Sequence, residues 1–228
     1  MVGRVAVIVP VLDEVRSIGA TVRSVLSSGA YCIVVDGGST DGTLERAREQ
    51  GALTLAARRG RAAQMNAGAR EAGAFEILLF LHADVTLPDG WRTAVETAID
   101  QGALWGRFDV VLDSTSWVLG VVGDAMNLRS RITGIATGDQ ALFIRRASFD
   151  ALGGFADLPL MEDVDLCTRL VRARLPRAAL RDRVRVSARR WERHGVARTV
   201  LLMWCLRFLW WVGVPADRLH RMYYGQPR

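Results

Sequence analysis

The sequence contains no lysine, so all 30 of its basic residues are arginines. A P-loop nucleotide site needs a lysine for the phosphates, and its absence excludes that class of protein. Only three cysteines are present (Cys32, Cys167 and Cys205), far apart and without metal-ligand spacing. This excludes a disulfide framework or a zinc site and indicates reduced cysteines. Because no signal peptide precedes the first apolar run at Val5, the predicted location is the cytoplasm.

Acidic residues are scarce in the last quarter of the chain. Residues 1–168 contain 15 arginines and 21 acids, whereas residues 169–228 contain 15 arginines and only three acids. The net charge of +6 therefore combines an acidic body, at −6, with a basic tail, at +12. Such a tail is typical of proteins that bind phosphates, anionic lipid headgroups or nucleic acids. No nucleic-acid-binding motif accompanies it, so we expect no nucleic-acid partner.

A glycine-rich dinucleotide fingerprint is missing as well. The segment "VVDGGSTDGT" follows an apolar run, but its glycines do not have the G-x-G-x-x-G spacing. Gly37 and Gly38 therefore have two readings, a phosphate-binding loop or a tight turn between a strand and a helix. Asp36, which ends the apolar run, is predicted to accept hydrogen bonds from a base or a ribose.

The sequence does contain a regular alternation of apolar, β-branched runs with helical patterns over residues 4–102. Runs such as "RVAVIVP", "YCIVVD" and "EILLFL" are typical of buried strands. The alternation predicts an α/β fold with a Rossmann-like, mainly parallel sheet flanked by helices. Ligands of such sheets bind beyond the carboxyl ends of the strands. We expect the polar residues that follow three of these ends to converge on one edge: Asp13, Glu14, Asp36, His82 and Asp84.

Two clusters of charge complete the candidate site. "AARRGRAAQ" places Arg58 and Arg61 at the start of a helix, where arginines and free amides form an anion site; the alternative is a solvated basic turn. "LPLMEDVDL" places Glu162 and Asp163 at the start of an amphipathic helix. Acids at that position either stabilise the helix dipole or accept a proton from an attacking hydroxyl.

Taken in order, "VIVPVLDE", "VVDGGSTDGT", "LFLHAD", "GGF" and "EDVDLCTRL" resemble the family 2 glycosyltransferases of GT-A fold. The resemblance covers residues 4–173. The whole chain, including "TGDQALFIRR" and "RRWERHGVARTVLLMWCLRFL", is most similar to the subgroup named rSAM/selenodomain-associated transferase 2. The name of this subgroup describes gene context and gives no substrate.

The resemblance implies an inverting glycosyltransferase of the hexosyltransferase type, which moves a sugar from a nucleotide-diphosphate sugar to an acceptor hydroxyl. Residues 1–103 would bind the nucleotide sugar, residues 104–190 would form the acceptor-binding half of the same domain, and residues 191–228 would form a basic amphipathic helical tail. The implied nucleotide-sugar-binding residues are Pro10, Glu14, Asp36, Arg58, Arg61, His82 and Asp84. The implied acceptor-binding residues are Gly138, Asp139, Gln140, Arg190 and Trp191.

The resemblance also assigns the chemistry. Asp84 matches the last acid of a D-x-D motif, which would bind Mg²⁺ or Mn²⁺ bridging the two phosphates. Asp163, with Glu162 beside it, matches the general base. His82 stands where the family has the first acid of the motif. A neutral imidazole ligates Mn²⁺ but suits Mg²⁺ poorly, so His82 either binds the metal or hydrogen-bonds a ribose or phosphate.

Two other functions fit parts of the sequence. "LFLHADVT" resembles the D-x-D-x-[TV] motif of the haloacid dehalogenase phosphatases, but His82 occupies the position of their nucleophilic aspartate. A non-catalytic module that binds a membrane surface would explain the basic tail, but it would leave the acidic body without a role.

The apolar part of the tail covers residues 196–214 and contains two arginines, with Arg207 near its middle. A membrane span needs about 20 apolar residues, and a central arginine costs about 2.5–3.5 kcal/mol on insertion scales. These values favour an interfacial helix, and the tryptophans of the segment suit a membrane interface. The alternative is a helix packed on the catalytic domain or on a second subunit. We expect residues 191–214 to contact the cytosolic face of a membrane and to help select an amphipathic or lipid-linked acceptor.

Overall fold

The computed structural model describes residues 4–225, apart from the side chains of Arg190 and His194. Strands and helices alternate through the first half of the chain, as the sequence predicts. In chain order these elements are β1 (Val5–Val11), α1 (Val15–Ser27), β2 (Tyr31–Asp36), α2 (Thr43–Glu49), β3 (Leu53–Ala56), α3 (Arg61–Glu71), β4 (Ile77–Phe80), β5 (Val85–Thr86) and α4 (Trp91–Asp100). The second half contains β6 (Trp105–Asp113), α5 (Trp117–Thr133), a 3₁₀-helix (Gly138–Gln140), β7 (Leu142–Arg145), α6 (Arg146–Ala151), α7 (Glu162–Arg172), β8 (Arg177–Ser187), α8 (Arg189–His194), α9 (Val196–Trp211) and α10 (Ala216–Tyr224).

The strands of the described residues form one sheet in the order β3-β2-β1-β4-β7-β6-β8-β5. The first four strands of this order are parallel. β7 runs antiparallel to both β4 and β6, β8 is parallel to β6, and β5 is antiparallel to β8. The predicted α/β architecture is confirmed, and parallel pairing extends through the first four strands and recurs between β6 and β8.

The core has two layers because successive residues of a strand point to opposite faces of the sheet. Val7 and Val9 belong to the layer that α1 covers with Ile18. Ile8, between them, belongs to the layer that α3 covers with Met65. A sheet buried on both faces explains why "RVAVIVP" is a continuous apolar run.

β8 is a strand that the sequence pattern does not predict. Its 11 residues contain four arginines and one aspartate, and only Val184 and Val186 are buried. The strand pairs with β6 along one side and with the two-residue strand β5 along the other. One of its faces remains open to solvent, so charged residues are tolerated at the exposed positions.

A bulge in β8 interrupts its pairing with β6: one residue of β6, between Arg107 and Asp109, faces three residues of β8, between Ala179 and Arg183. There the backbone amide of Val110 donates to the Asn127 side chain at 2.8 Å, and Asn127 donates back to the Val110 carbonyl at 3.0 Å. Both Arg107 and Asp109 are buried and form an ion pair, which Arg131 of α5 extends. Burial lowers the pKa of Arg107, and its Nε has no hydrogen-bond partner among the described residues, but the ion pair offsets the cost of burying both charges and anchors α5 on the bulge.

Beyond the bulge, the far ends of β6 and β8 lie beside the segment that follows β4. The amide of Ser187 donates to the carbonyl of Asp84 at 3.3 Å, and Val85 pairs with Val186. Asp84 therefore lies where the two ends of the sheet approach each other.

Helices α9 and α10 pack on the start of α7. A third apolar cluster joins them, formed by Leu160, Met161, Val164, Leu206 and Leu219. Within residues 4–225, no helix has the length and apolar composition that crossing a membrane requires.

Two helical glycines allow a matched test of the packing between α3 and the sheet. A Cβ added at Gly68 would overlap the Cγ2 methyl of Ile8 and lie 3.0 Å from Val35, whereas Gly120 in α5 has open space. We expect Gly68→Ala to lower the free energy of unfolding by about 1–2 kcal/mol, because overpacking outweighs helix propensity. Gly120→Ala should raise it by up to about 1 kcal/mol. Urea denaturation measures both, and a stabilised Gly68→Ala variant would contradict this packing.

Candidate active site

The loop after β2 caps the start of α1. The amide of Glu14 donates to the Thr43 hydroxyl at 2.8 Å, and the amide of Val15 donates to Asp41 at 3.1 Å. The Thr43 hydroxyl also donates to Asp41 and lowers the pKa of that carboxyl. The backbone amides at the start of α1 have no partner within the helix, and these two side chains accept their hydrogen bonds. The geometry favours the tight-turn reading of "VVDGGSTDGT" over a phosphate-binding loop.

Asp36 closes the same loop from its first residue. Its carboxylate accepts hydrogen bonds from the Gly38 amide at 3.1 Å and from both the amide and the hydroxyl of Ser39. These bonds explain how the acid is buried without a counter-charge. Asp36 thus organises the edge of the sheet, and its contact with a nucleotide stays a prediction.

Gln64 of α3 is a residue at this edge that the sequence does not single out. Its side-chain amide donates to the carbonyls of Val11 and Val35, both at 2.8 Å, and so joins the ends of β1 and β2. Gln64 is a polar residue in an Ala-rich helix, and its sequence context does not indicate this bridging role.

Of the other predicted nucleotide contacts, Pro10 lies in β1, and Glu14 accepts a hydrogen bond from Ser17 at 2.7 Å.

The 3₁₀-helix connects the end of β4 to the first turn of α7. Nδ1 of His82 lies 3.2 Å from Oδ1 of Asp139, and a Cβ on Gly138 would overlap the imidazole ring. The amide of Gly138 donates to Oδ2 of Asp163 at 2.8 Å. Four residues that the sequence places in three separate segments are therefore in one chain of contacts.

The acids that open α7 have different environments. Glu162 is buried; this burial, followed by the charge of Asp163, raises its pKa, although Arg61 and His82 oppose the shift. Asp163 is half-buried and accepts the Gly138 bond. Asp165 is paired with Arg169 at 2.8 Å, and Arg169 holds the loop before α7 through the carbonyls of Leu152 and Gly154. Asp163 is thus the acid of this turn that contacts the 3₁₀-helix, whereas Asp165 is held by Arg169.

Arg61 begins α3 and supplies positive charge to this cluster. Although part of its side chain is exposed, protein atoms crowd its guanidinium, which disfavours the charged form. The charges of Tyr224, Glu162, Asp139 and Asp163 outweigh this effect and raise the pKa of Arg61. Tyr224 ends α10, so the C-terminal helix reaches the candidate site, which the sequence does not indicate.

Arg129 of α5 is a second cation near the acids. Burial lowers its pKa, and the charges of Asp163 and Asp139 partly oppose that shift. Its Nε and Nη2 atoms are buried and make no hydrogen bond to the described residues. The sequence offers no signal for this residue, because an arginine late in a helix ordinarily stabilises the helix dipole.

Asp84 lines a cavity of about 250 Å³ together with the last residues of β6 and β8, Asp113 and Ser187, and with Arg189 and Glu192 of α8. Among the residues that the structure describes, no three acidic, histidine or cysteine side chains are grouped to hold a metal ion. Mg²⁺ at phosphate-binding sites, however, takes one or two protein carboxylates and completes its shell with phosphate oxygens and water. The half-buried carboxylate of Asp84 at this cavity fits that donor set.

Three further residues are predicted for the site: Arg58, Trp191 and Arg190. Arg58 is exposed and paired with Asp157. Trp191 is partly buried against the main core. The side chain of Arg190 lies outside the described part of the chain.

The prediction that Gln140 contacts an acceptor is corrected by its burial. The side chain is fully buried and donates to the Phe108 carbonyl at 3.3 Å and to the Ser130 hydroxyl at 3.0 Å. It therefore fastens the 3₁₀-helix to β6 and α5. Its neighbour Asp139 keeps a side chain that is 41% exposed and remains accessible at the site.

Solved structures share this architecture. S. aureus TarS in complex with UDP has a TM-score of 0.64 at 20% identity, over 81% of this chain and 60% of that one. Glucosyl-3-phosphoglycerate synthase from Mycobacterium tuberculosis, in complex with Mg²⁺ and UDP, has a TM-score of 0.55 at 18% identity, over 80% of this chain and 69% of that one. The chain therefore spans about 60% of the TarS chain. The fold is the GT-A fold of glycosyltransferases.

The sequence comparison agrees with the fold. The family model described as Glycosyl transferase family 2 matches residues 6–148, more than half of the chain, and the chain belongs to this family. This membership disfavours the phosphatase alternative. The sequence matches none of the curated proteins with which it was compared.

Glu162 gives a pH-dependent prediction for stability. Because its pKa is raised in the folded protein, the unfolded chain releases the proton first, and stability falls as the pH rises above the unfolded value of about 4.3. We expect Glu162→Gln to raise the thermal midpoint at pH 7–8 and to match the wild type near pH 4. Glu71→Gln, at an exposed position of α3, is the control and should change neither value. A Glu162→Gln variant that is less stable at neutral pH would refute the assignment.

Proposed function

We propose that the protein is an inverting glycosyltransferase of the hexosyltransferase type, which transfers a sugar from a nucleotide-diphosphate sugar to an acceptor hydroxyl. The observation that carries the proposal is the contact chain His82–Asp139 and Gly138–Asp163 at the carboxyl edge of a family 2 domain. The UDP in the TarS and synthase structures supports a uridine nucleotide as the first donor to test. We also propose that the chain belongs to the rSAM/selenodomain-associated transferase 2 subgroup, which it resembles.

Asp163 is the proposed general base. A single displacement with inversion needs one base on the side of the acceptor, opposite the leaving diphosphate. The Gly138 amide fixes one carboxylate oxygen of Asp163 at 2.8 Å, which orients the group. Glu162 is the buried partner, and burial followed by the charge of Asp163 raises its pKa, so the two acids disfavour being ionised together.

Asp84, with His82 nearby in sequence, would hold the divalent ion. Bound Mg²⁺ or Mn²⁺ would supply positive charge to the diphosphate leaving group. The synthase structures that contain Mg²⁺ or Mn²⁺ together with UDP support this choice of ions. Arg61 adds a fixed positive charge near Glu162, Asp139 and Asp163, and a phosphate is its expected partner.

The acceptor is proposed to be amphipathic or lipid-linked, with the tail near a membrane surface. Gly138 and Asp139 are the proposed acceptor-facing residues that the structure brings beside Asp163. The contact of Arg190 and Trp191 with an acceptor remains a prediction.

Donor binding is measured by a thermal-shift panel of UDP-, GDP- and dTDP-sugars with Mg²⁺ or Mn²⁺. A donor at 100 times its dissociation constant should add about 2.7 kcal/mol to the free energy of unfolding. Asp84→Ala should remove this shift when the metal is present, and His82→Ala should reduce it. If no nucleotide sugar shifts the wild type, the proposed donor class is wrong.

The role of Asp163 is separable from donor binding. We expect Asp163→Asn to keep the donor-induced thermal shift and to reduce donor hydrolysis or transfer by about 10²-fold or more, because the base is lost. Asp165→Asn on the same helix, where the side chain pairs with Arg169, is the matched control and should retain most of the activity. Full activity in Asp163→Asn would place the base elsewhere.

A further inference from the structure

The exposed face of α9 is apolar. Leu201, Trp204, Phe208 and Trp211 recur at intervals of three and four residues, so they share one side of the helix, and they are 60–81% exposed. The opposite side packs on the protein through Leu206 and other residues of the third apolar cluster. Both faces of the helix are therefore apolar, which differs from the amphipathic helix predicted for the tail. We call the exposed side, Leu201–Trp204–Phe208–Trp211, the α9 face.

A face of this size is unusual on a soluble domain unless another surface covers it. Exposed tryptophan and phenylalanine side chains on one helix are typical of helices that lie in a membrane interface. The helix has 16 residues, which is shorter than the about 20 needed to span a bilayer. Its length therefore suits a helix that lies along a surface.

The charges around the α9 face favour one kind of partner. Residues 189–224 contain seven arginines and two acids, a balance of +5. Five of these arginines are exposed: Arg189, Arg193, Arg198, Arg218 and Arg221. A second copy of the chain would bring +5 against +5, which is repulsive, whereas anionic lipid headgroups complement it.

The α9 face also lies close to the candidate site. On the inner side of α9, Leu206 is in one cluster with Met161 and Val164, the residues that flank Glu162 and Asp163. A surface in contact with the outer side of α9 is therefore about one helix diameter, roughly 10 Å, from the packing that supports the proposed base.

From these observations we propose that the α9 face docks on an anionic lipid bilayer, with α9 lying in the interface and its flanking arginines on the headgroups. The proposal deepens the proposed function, because it assigns the surface that presents a lipid-linked acceptor to Asp163. Docking itself requires no donor, metal or turnover, so its failure is distinguishable from a failure of the transferase assignment.

The test is co-sedimentation of the full chain with phosphatidylcholine vesicles that contain or lack phosphatidylglycerol. We expect binding to the anionic vesicles that weakens with added salt. The variant Trp204→Ser/Phe208→Ser/Trp211→Ser should bind about tenfold more weakly or worse, because the inserted apolar area is lost. Since these side chains are exposed, circular dichroism and the donor-induced thermal shift should remain those of the wild type.

The control uses another apolar helix face. Trp117, Val121 and Leu128 of α5 are 59–79% exposed. The variant Trp117→Ser/Val121→Ser/Leu128→Ser should keep the vesicle binding of the wild type. The proposal is overturned if the α9 variant binds vesicles as well as the wild type, or if the wild type ignores anionic vesicles at low salt. It is also overturned if sedimentation velocity shows a wild-type dimer that the α9 substitutions dissociate.

Discussion

The rest of the structure depends on the short connection between β4 and β5. Four residues, 81–84, join these strands, yet three other strands separate them in the sheet order. In a flat sheet the two strands would lie about 19 Å apart, whereas five extended residue steps reach about 17 Å at most. The hydrogen bond from the Val85 amide to the His82 carbonyl, at 3.2 Å, shortens the reach further. The sheet must therefore curl, and the bulge in β8, opposite Arg107–Asp109, is where the pairing register shifts.

The curl explains why the candidate site is built from segments so distant in sequence. It directs Asp84 toward the ends of β6 and β8, while His82 contacts the 3₁₀-helix and, through Gly138, the first turn of α7. The acids gathered there are not all stabilising, because burial disfavours the ionised form of Glu162. Neutral hydrogen-bonding groups such as Gln64 and Asn127 hold the surrounding strands instead.

Local signals were sufficient to predict much of this arrangement. The bounds of β2 and the alternation of the first strands with helices follow from β-branched runs, whereas the convergence of His82 and Asp84 with Asp13, Glu14 and Asp36 stays a prediction. Residues that act through non-local contacts were not predictable. Five of the 11 residues of β8 are charged, and its pairing with β6 shifts register at the bulge. Arg129 approaches the acids, and Tyr224 approaches Arg61, only because α5 and α10 pack where they do.

The tail shows why apolar periodicity alone does not distinguish a core helix from an interfacial one. A helix with one apolar face shows by its sequence which side faces the protein. Because α9 has two apolar faces, only the burial of its Leu206 in the third apolar cluster shows which side faces the protein. The inner face also supports Met161, whose φ of 70° lies in the left-handed region just before α7 begins. A non-glycine residue holds such a conformation only when its surroundings enforce it. The position of α9 is therefore coupled to the turn that presents Glu162 and Asp163. A partner bound to the outer face of α9 would act on this turn through Met161 and Leu206.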